Sequence, residues 1–383
     1  MTRDPILVVV FLRGGADGLS LVCPASDEHL IAARPEALRV ARKGDNAGRI
    51  IRHEVADTEF RFHPGLADLA ELYEAGDLSL IHASGLTDAT RSHFDAEARI
   101  ERGLFGAVVP GDPSGWIGRW LAAVQPGGPM PALAVGTAQP GSLLGGRAAV
   151  AEQLQDLMVG AGHWLAPALR ARRVAGFGDH GPLQAPMAGL LALSDLIAGR
   201  LWSAADQAVI GYAPSVDYPA GSPLSAPLMT VAQAIKHDLG LRVATVDVPG
   251  WDTHVAQAGQ IDLLTRGLAG GLMAFWRDLG PSQQDVSVVV MSEFGRRLRS
   301  NTAGGTDHGR GNVMFVLGPQ ARGGRMLGHW PGLAHEALEE GADLAVVTDY
   351  RAVLSELLGG HLRLGDMEAV FPGYRAEPVG LWR

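Results

Sequence analysis

The chain has 383 residues, a formal net charge of −9, 47% hydrophobic residues and 19% charged residues. This composition provides enough apolar material for a large core and too little charge for a disordered chain. The negative charge disfavours a nucleic-acid partner, because phosphate binding needs clustered Lys and Arg. A single cysteine, Cys23, excludes an internal disulfide and a structural zinc site built on cysteines.

The first apolar run, Ile6–Leu12, is too short to span a membrane, which takes roughly 20 residues. It does not have the basic start, apolar stretch and small-residue cleavage site of a signal peptide, and we interpret it as a strand. The chain is therefore predicted to be cytoplasmic as it stands, or periplasmic if an export signal has been removed.

Six short apolar runs predict buried parallel strands, whose two faces are both covered by helices. These strands are Ile6–Leu12, Leu78–His82, Ala132–Val135, Leu241–Val248, Val286–Met291 and Asn312–Leu317. Apolar residues at helical spacing predict helices at Leu66–Ala75, Leu228–Leu239, Val255–Leu279 and Tyr350–Leu358. Alternating strands and helices predict an α/β fold with a doubly wound, mostly parallel sheet flanked by helices.

One domain is predicted to span residues 1–383. Residues 105–223 break the regular pattern, because stretches rich in Gly and Pro lie near both ends of this segment. We predict that this segment is a cap or an irregular insert within the domain and not a second domain.

Polar residues follow the predicted strands, where functional sites form in open α/β sheets. The candidates in chain order are Asp17, Arg91, Ser92, Asp252, His254, Glu293, Arg296, Asp307 and His308. Close carboxylates repel one another unless a cation or proton lies between them. A cluster of Asp17, Asp252 and Glu293 therefore predicts a divalent metal, either zinc, manganese, magnesium or calcium.

Such a metal would make Ser92 a candidate nucleophile, activated without a histidine triad. Arg91 or Arg296 would then neutralise a small anionic substrate. The sequence contains no Gly-x-Gly-x-x-Gly or Walker loop, which disfavours a nucleotide cofactor. It also lacks the Gly-x-Ser-x-Gly motif of ordinary serine esterases.

Each candidate also has a purely structural interpretation. Ser92 and Asp252 are both placed to cap a following helix, and a lone Asp17 after a strand is more typical of a cap or turn. Glu293 and Arg296 are spaced for a local ion pair. The Asp307–His308 pair is the least ordinary, because flanking glycines suggest a backbone held close to another group.

Ordered motifs extend these observations over residues 5–374. They are Val8–Pro24, Arg91–Phe94, Gly250–His254, Met291–Arg297, Gly304–Gly311, Trp330–Gly332, Thr348–Arg351 and Phe371–Gly373. In this order they resemble an uncharacterised bacterial family, domain of unknown function 1501. That family is similar to the alkaline phosphatase and sulfatase superfamily, in which a hydroxyl or formylglycine nucleophile lies beside one or two metals.

The resemblance implies an alkaline-phosphatase-like fold and metal-dependent hydrolysis of phosphate or sulfate esters. It implies that Ser92 occupies the nucleophile position. The metal positions that it implies are Asp17, Asp252, His254, Glu293 and His308. Phe294 stands where the superfamily has a ligating His or Asn, which implies an incomplete second metal site.

The departure at Phe294 keeps an alternative open, a non-catalytic metal- or ligand-binding protein on the same fold. A further alternative is a transferase or phosphomutase that acts on a phosphorylated metabolite. That activity would require residues 105–223 to form a cap domain.

Overall fold

The computed structural model of the chain describes residues 4–104, 113–159 and 184–382. Its helices are α1 (Gly18–Leu21), α2 (Glu28–Ala33), α3 (Ala67–Ala75), α4 (His93–Arg102), α5 (Trp116–Val124), α6 (Gln184–Leu201), α7 (Ser225–Lys236), α8 (Gln257–Leu279) and α9 (Tyr350–Glu356). Its strands are β1 (Ile6–Leu12), β2 (Val22–Pro24), β3 (Phe60–Phe62), β4 (Leu78–Gly85), β5 (Ala132–Val135), β6 (Ala149–Ala151), β7 (Trp202–Ser203), β8 (Ala208–Val209), β9 (Val243–Val248), β10 (Val286–Ser292), β11 (Arg296–Ser300), β12 (Thr306–His308), β13 (Asn312–Leu317), β14 (Arg325–Leu327), β15 (Leu338–Glu339), β16 (Asp343–Leu344) and β17 (Thr348–Asp349).

A nine-stranded sheet forms the centre of the described structure, in the order β14-β4-β13-β10-β1-β9-β5-β6, with β17 beside β4. Strand β1 pairs in parallel with β9 and β10. Helices cover both faces, so the α/β prediction with a mostly parallel sheet is confirmed.

One predicted parallel strand, Asn312–Leu317, runs the other way. This strand, β13, is antiparallel to both β10 and β4. A parallel return needs a long crossover, usually a helix, whereas the chain between β10 and β13 forms the paired strands β11 and β12. The amino end of β13 therefore lies at the same edge of the sheet as the carboxyl ends of β1, β4 and β10.

The apolar run of β1 is continuous because this strand is buried on both faces. Val8 and Val10 pack with residues of α3, α7 and α8, whereas Leu7 and Val9 pack with residues of α4, α5 and α9. Successive strand residues point to opposite faces, and each fully buried Val or Leu contributes roughly 1.5–3 kcal/mol.

The described parts of residues 105–223 include β5 and β6 of the central sheet. Residues 105–112 and 160–183 of the predicted insert lie outside the described residues, and the domain division stays a prediction. No helix in the described ranges combines the length and the apolar character that crossing a bilayer requires.

Candidate metal centre

Two glycines allow the loops after β1, β9 and β10 to come together. At Gly14 (φ +118°), a Cβ atom would lie 2.4 Å from the backbone nitrogen of Asp252. At Gly15 (φ +68°), a Cβ atom would lie 2.4 Å from the ring of Phe294. Both positions have a backbone conformation that favours glycine, so the Arg-Gly-Gly turn after β1 makes this close approach possible.

The guanidinium of Arg296 ties these loops together. Its side chain is buried and donates hydrogen bonds to the carbonyl oxygens of Gly15 (2.6 Å), Thr306 (2.8 Å) and Trp251 (3.1 Å). It also donates to Asp252 Oδ1 at 2.6 Å. The predicted role of Arg296 in binding a substrate anion does not fit this geometry, because backbone carbonyls and Asp252 already engage the buried guanidinium.

Three imidazoles converge on the carboxylate of Asp252. The Nε2 atoms of His254 and His308 lie 3.0 and 3.2 Å from its Oδ1, and His93 Nε2 lies 3.6 Å from its Oδ2. The ligand atoms of His93, Asp252 and His308 all lie within 4.8 Å of one another. The two Nε2 atoms of His254 and His308 are 2.8 Å apart.

The other ring nitrogen of each histidine faces an oxygen that only accepts hydrogen bonds. The pairs are His93 Nδ1 with Glu293 Oε1 (2.8 Å), His254 Nδ1 with Asp307 Oδ1 (3.3 Å) and His308 Nδ1 with the carbonyl oxygen of Arg91 (2.8 Å). Each Nδ1 therefore donates, and each Nε2 of a neutral ring carries a lone pair. Such backing by a carboxylate or carbonyl is the usual arrangement around metal-binding histidines.

These residues fit a divalent cation. Three lone pairs and one carboxylate at these separations repel unless a cation or a proton lies between them. In addition, His93 Nε2 is buried and has no hydrogen-bond partner among the described residues. The donor set therefore constitutes a possible His/Asp metal site at the edge of the sheet.

The local electrostatics favour the ligating forms of two residues. Burial raises the pKa of Asp252, but the net shift is downward, chiefly because Arg296 donates a hydrogen bond to this carboxylate and adds its positive charge. For His308, burial is the main influence and lowers the pKa. Asp252 is thus held as a carboxylate and His308 as a neutral ring.

Asp17 lies outside this metal-capable group, contrary to the predicted cluster. The carboxylate is buried and accepts hydrogen bonds from Arg34 (2.6 and 3.0 Å), Ser20 (2.7 Å) and Gln257 (2.6 Å). Burial raises the pKa of Asp17, yet the charge and hydrogen bonds of Arg34 lower it more. The positive charge that balances Asp17 therefore comes from the Arg34 guanidinium and not from a metal ion.

Glu293 supports a ligand and does not face Asp252 directly. Its buried Oε1 accepts hydrogen bonds from the backbone amide of Gly14 at 2.7 Å and from His93. Its Oε2 accepts from the hydroxyl of Ser292 at 3.0 Å. The alternative of a local ion pair with Arg296 is not seen, because Arg296 contacts Asp252 instead.

The side chain of Arg91 is also engaged within the protein. Its guanidinium donates to Asp343 at 2.7 Å and to Glu340 at 2.8 Å. The predicted role in neutralising a substrate does not fit these ion pairs. Instead, the backbone carbonyl of Arg91 orients His308.

Neither Ser92 nor Asp252 caps a helix through its side chain. Ser92 occupies the residue before α4, but its side chain makes no capping hydrogen bond. Helix α8 begins at Gln257, with Ala256 in the capping position, so Asp252 lies too far upstream. The structural interpretations of these two residues are therefore not supported.

His93 is the site residue that the sequence analysis did not select. It begins α4 and directly follows Ser92. The Arg91–Phe94 motif contained the relevant signal, an imidazole in a loop after a strand. Phe294 completes the arrangement, because its ring packs against His93 and His308 with centroids 4.9 and 4.8 Å away.

Several solved structures show a distant likeness to the chain. PsFucS1 sulfatase from Pseudoalteromonas sp. is 12% identical, with a TM-score of 0.37, covering 100% of this chain and 74% of that one. The C-terminal periplasmic domain of EcEptC from Escherichia coli, in complex with Zn, is 7% identical with a TM-score of 0.37 and coverages of 83% and 73%. Alkaline phosphatase from the Antarctic bacterium TAB5 is 11% identical with a TM-score of 0.30 and coverages of 83% and 93%.

The sequence matches no curated protein. Its residues 231–371 match the model of a family described as protein of unknown function (DUF1501). The matched range contains Asp252, His254 and His308, whereas Ser92 and His93 precede it. This match confirms the predicted resemblance to the DUF1501 family.

Proposed function

We propose that the chain is a metal-dependent hydrolase of phosphate or sulfate esters, with Ser92 as the nucleophile. The observation that carries the proposal is the convergence on Asp252 of three imidazoles, one of which belongs to His93, the residue that follows Ser92. His93, Asp252, His254 and His308 would hold one metal ion. Three nitrogen ligands and one carboxylate favour zinc over magnesium or calcium, which prefer oxygen ligands.

A bound metal would act as a Lewis acid that stabilises negative charge on the ester oxygens and lowers the pKa of a nearby hydroxyl. The chain's own residues would orient the reactants. Helix α4 has ten residues, and the side chain of Ser92 leaves its first amide groups uncapped. Amide groups at a helix start bind anions, so those of α4 would bind the substrate anion in place of Arg91 and Arg296.

In the reaction, Ser92 Oγ forms a bond to phosphorus or sulfur as the bond to the ester oxygen breaks. The proton of the serine hydroxyl ends on the departing alcohol. Water then cleaves the bond between Ser92 Oγ and the phosphoryl or sulfuryl group, which restores the hydroxyl and releases phosphate or sulfate.

The test uses purified protein stripped of metal and reloaded separately with zinc, manganese, magnesium or calcium. We expect elemental analysis to find a single zinc ion per chain, which Asp252→Ala and His308→Ala lose. With 4-nitrophenyl phosphate and sulfate, Ser92→Ala should lose turnover by several orders of magnitude while it keeps the metal. The control is Thr90→Ala, which removes a hydroxyl that accepts the Ser92 amide hydrogen at 3.2 Å. Unchanged turnover in Ser92→Ala would exclude Ser92 as the nucleophile.

A second candidate is a non-catalytic metal-binding protein on the same fold. The ion pairs of Arg91 and the burial of Arg296 favour it, because neither guanidinium is available to an anionic substrate. Protein that retains zinc but hydrolyses neither ester would support this function.

A further inference from the structure

We infer that the metal centre takes an anion whose organic group is neutral and has a flat apolar face, which packs against Phe94 and Val255. This inference rests on the proposed function in naming the substrate as an ester of that kind. Phe94 is 87% exposed, more than any other large hydrophobic residue of the described ranges, and Val255 is 59% exposed.

The position of these residues distinguishes them from ordinary exposed apolar side chains, which are common on protein surfaces. Phe94 directly follows His93, and Val255 directly follows His254. Neighbouring Cα atoms are about 3.8 Å apart, so each apolar residue lies beside a histidine that faces Asp252. We call Phe94 and Val255 the apolar rim of the metal centre.

Local structure directs the apolar rim away from the metal-binding atoms. Successive residues of an α-helix are rotated by about 100°, so Phe94 projects to solvent when His93 turns toward Asp252. Val255 is held by an isolated antiparallel bridge to Gly304. The side chain of Asp252, at 47% exposed, remains open to solvent.

The charges near the centre indicate what kind of organic group would fit. The acidic head of the ligand would be taken by the metal and the first amides of α4. Asp307 is exposed beside His254 and would repel a second negative charge. An aryl ring or the apolar face of a sugar ring would therefore suit the apolar rim, through apolar contact and aromatic stacking.

The inference is tested by binding, which does not require turnover. Zinc-loaded wild-type protein and Phe94→Ala are titrated with phenylphosphonate and with methylphosphonate. We expect the wild type to prefer phenylphosphonate, and Phe94→Ala to weaken its binding about tenfold, which corresponds to partial burial of an aromatic ring. Methylphosphonate binding should change less than twofold. As a control, Ile50→Ala removes an apolar side chain that is 55% exposed elsewhere on the surface. This variant should bind both phosphonates as the wild type does.

Equal binding of the two phosphonates by the wild type, or an equal loss of both in Phe94→Ala, would overturn the apolar rim. The failure of the proposed function looks different. The protein could hydrolyse neither ester and still prefer phenylphosphonate in a manner that depends on Phe94. That result would support the apolar rim and exclude the hydrolase function.

Discussion

Asp17 and Asp252 both lie in loops that follow parallel strands at one edge of the sheet, but their surroundings differ. Asp17 is buried and its carboxylate is surrounded by donors from Arg34, Ser20 and Gln257. Asp252 is half exposed and faces imidazole nitrogens. A buried carboxylate must be paired within the protein, whereas the exposed one is left able to take an external cation.

A carboxylate at a strand end is therefore available to a metal ion only where the charges of the chain do not already balance its own. Arg34 compensates Asp17 fully, and Arg296 compensates Asp252 only from one side. We therefore expect one metal ion per chain. The following variants test the contrast between the two carboxylates.

The largest expected effect is the loss of folding stability in Asp17→Ala. This substitution leaves the guanidinium of Arg34 buried without the carboxylate that balances its charge, which costs about 3–5 kcal/mol of unfolding free energy. Metal content should stay unchanged, because Asp17 does not face the imidazoles. Urea denaturation and elemental analysis of the same samples measure both quantities.

The matched control for Asp17→Ala is the double variant Asp17→Leu with Arg34→Met, which removes both charges and should recover much of the lost stability. A loss of metal with little change in stability would restore Asp17 as a metal ligand.

A smaller effect is expected for Glu293→Gln. This change weakens the acceptor behind His93 and should reduce zinc affinity by about 10–100-fold. Asp307→Asn should have a weaker effect, because Asp307 is exposed and lies 3.3 Å from His254, whereas buried Glu293 lies 2.8 Å from His93. Competition with a chromogenic zinc chelator measures the zinc affinity of both variants. A larger loss of zinc affinity in Asp307→Asn than in Glu293→Gln would contradict the expected order.

The smallest expected effect is the loss of stability on replacing Asp278. Like Asp17, this carboxylate is paired with a cationic side chain of the protein, in this case Lys236. Burial raises the pKa of Asp278, but hydrogen bonds from Lys236 and Tyr212 and those from Ser215 lower it from 3.8 to about 2. A lowered folded-state pKa adds stability above the unfolded value, and this stability is lost as pH falls from 3.8 through 2.

We therefore expect Asp278→Asn to be less stable than the wild type by roughly 1–2 kcal/mol near neutral pH, after allowance for screening. The difference should shrink as the pH approaches about 2. Denaturant titrations at several pH values measure it. A difference that is independent of pH would show that Asp278 contributes through packing alone.

Much of the fold was predictable because its signals are local. The bounds of β1, β5 and β13 coincide with the predicted runs, and β4 extends three residues beyond its prediction, to Gly85. The direction of β13 was not predictable from its own residues. An apolar run of that length suits either direction, and the strands β11 and β12 that turn the chain back carry no strong periodic signal.

The candidate site was predictable in place but not in detail. Glu293 and His93 are 200 residues apart in the chain, and their contact depends on β4 and β10 ending at the same edge. Nothing near Arg34 marks it as the partner of Asp17. Charge alone made Arg91 and Arg296 attractive as anion-binding residues, although both are used inside the protein.

The amino-acid sequence was sufficient to predict the α/β alternation, the strand-end position of the polar residues and the glycines that let their loops approach. These properties follow from apolar periodicity and backbone conformation within short segments. The neutralisation of Asp17 by Arg34 and the meeting of His93, His254 and His308 at Asp252 became visible in the folded chain alone. Compensation of charge depends on which distant side chains share a buried space, and chain order alone does not specify that.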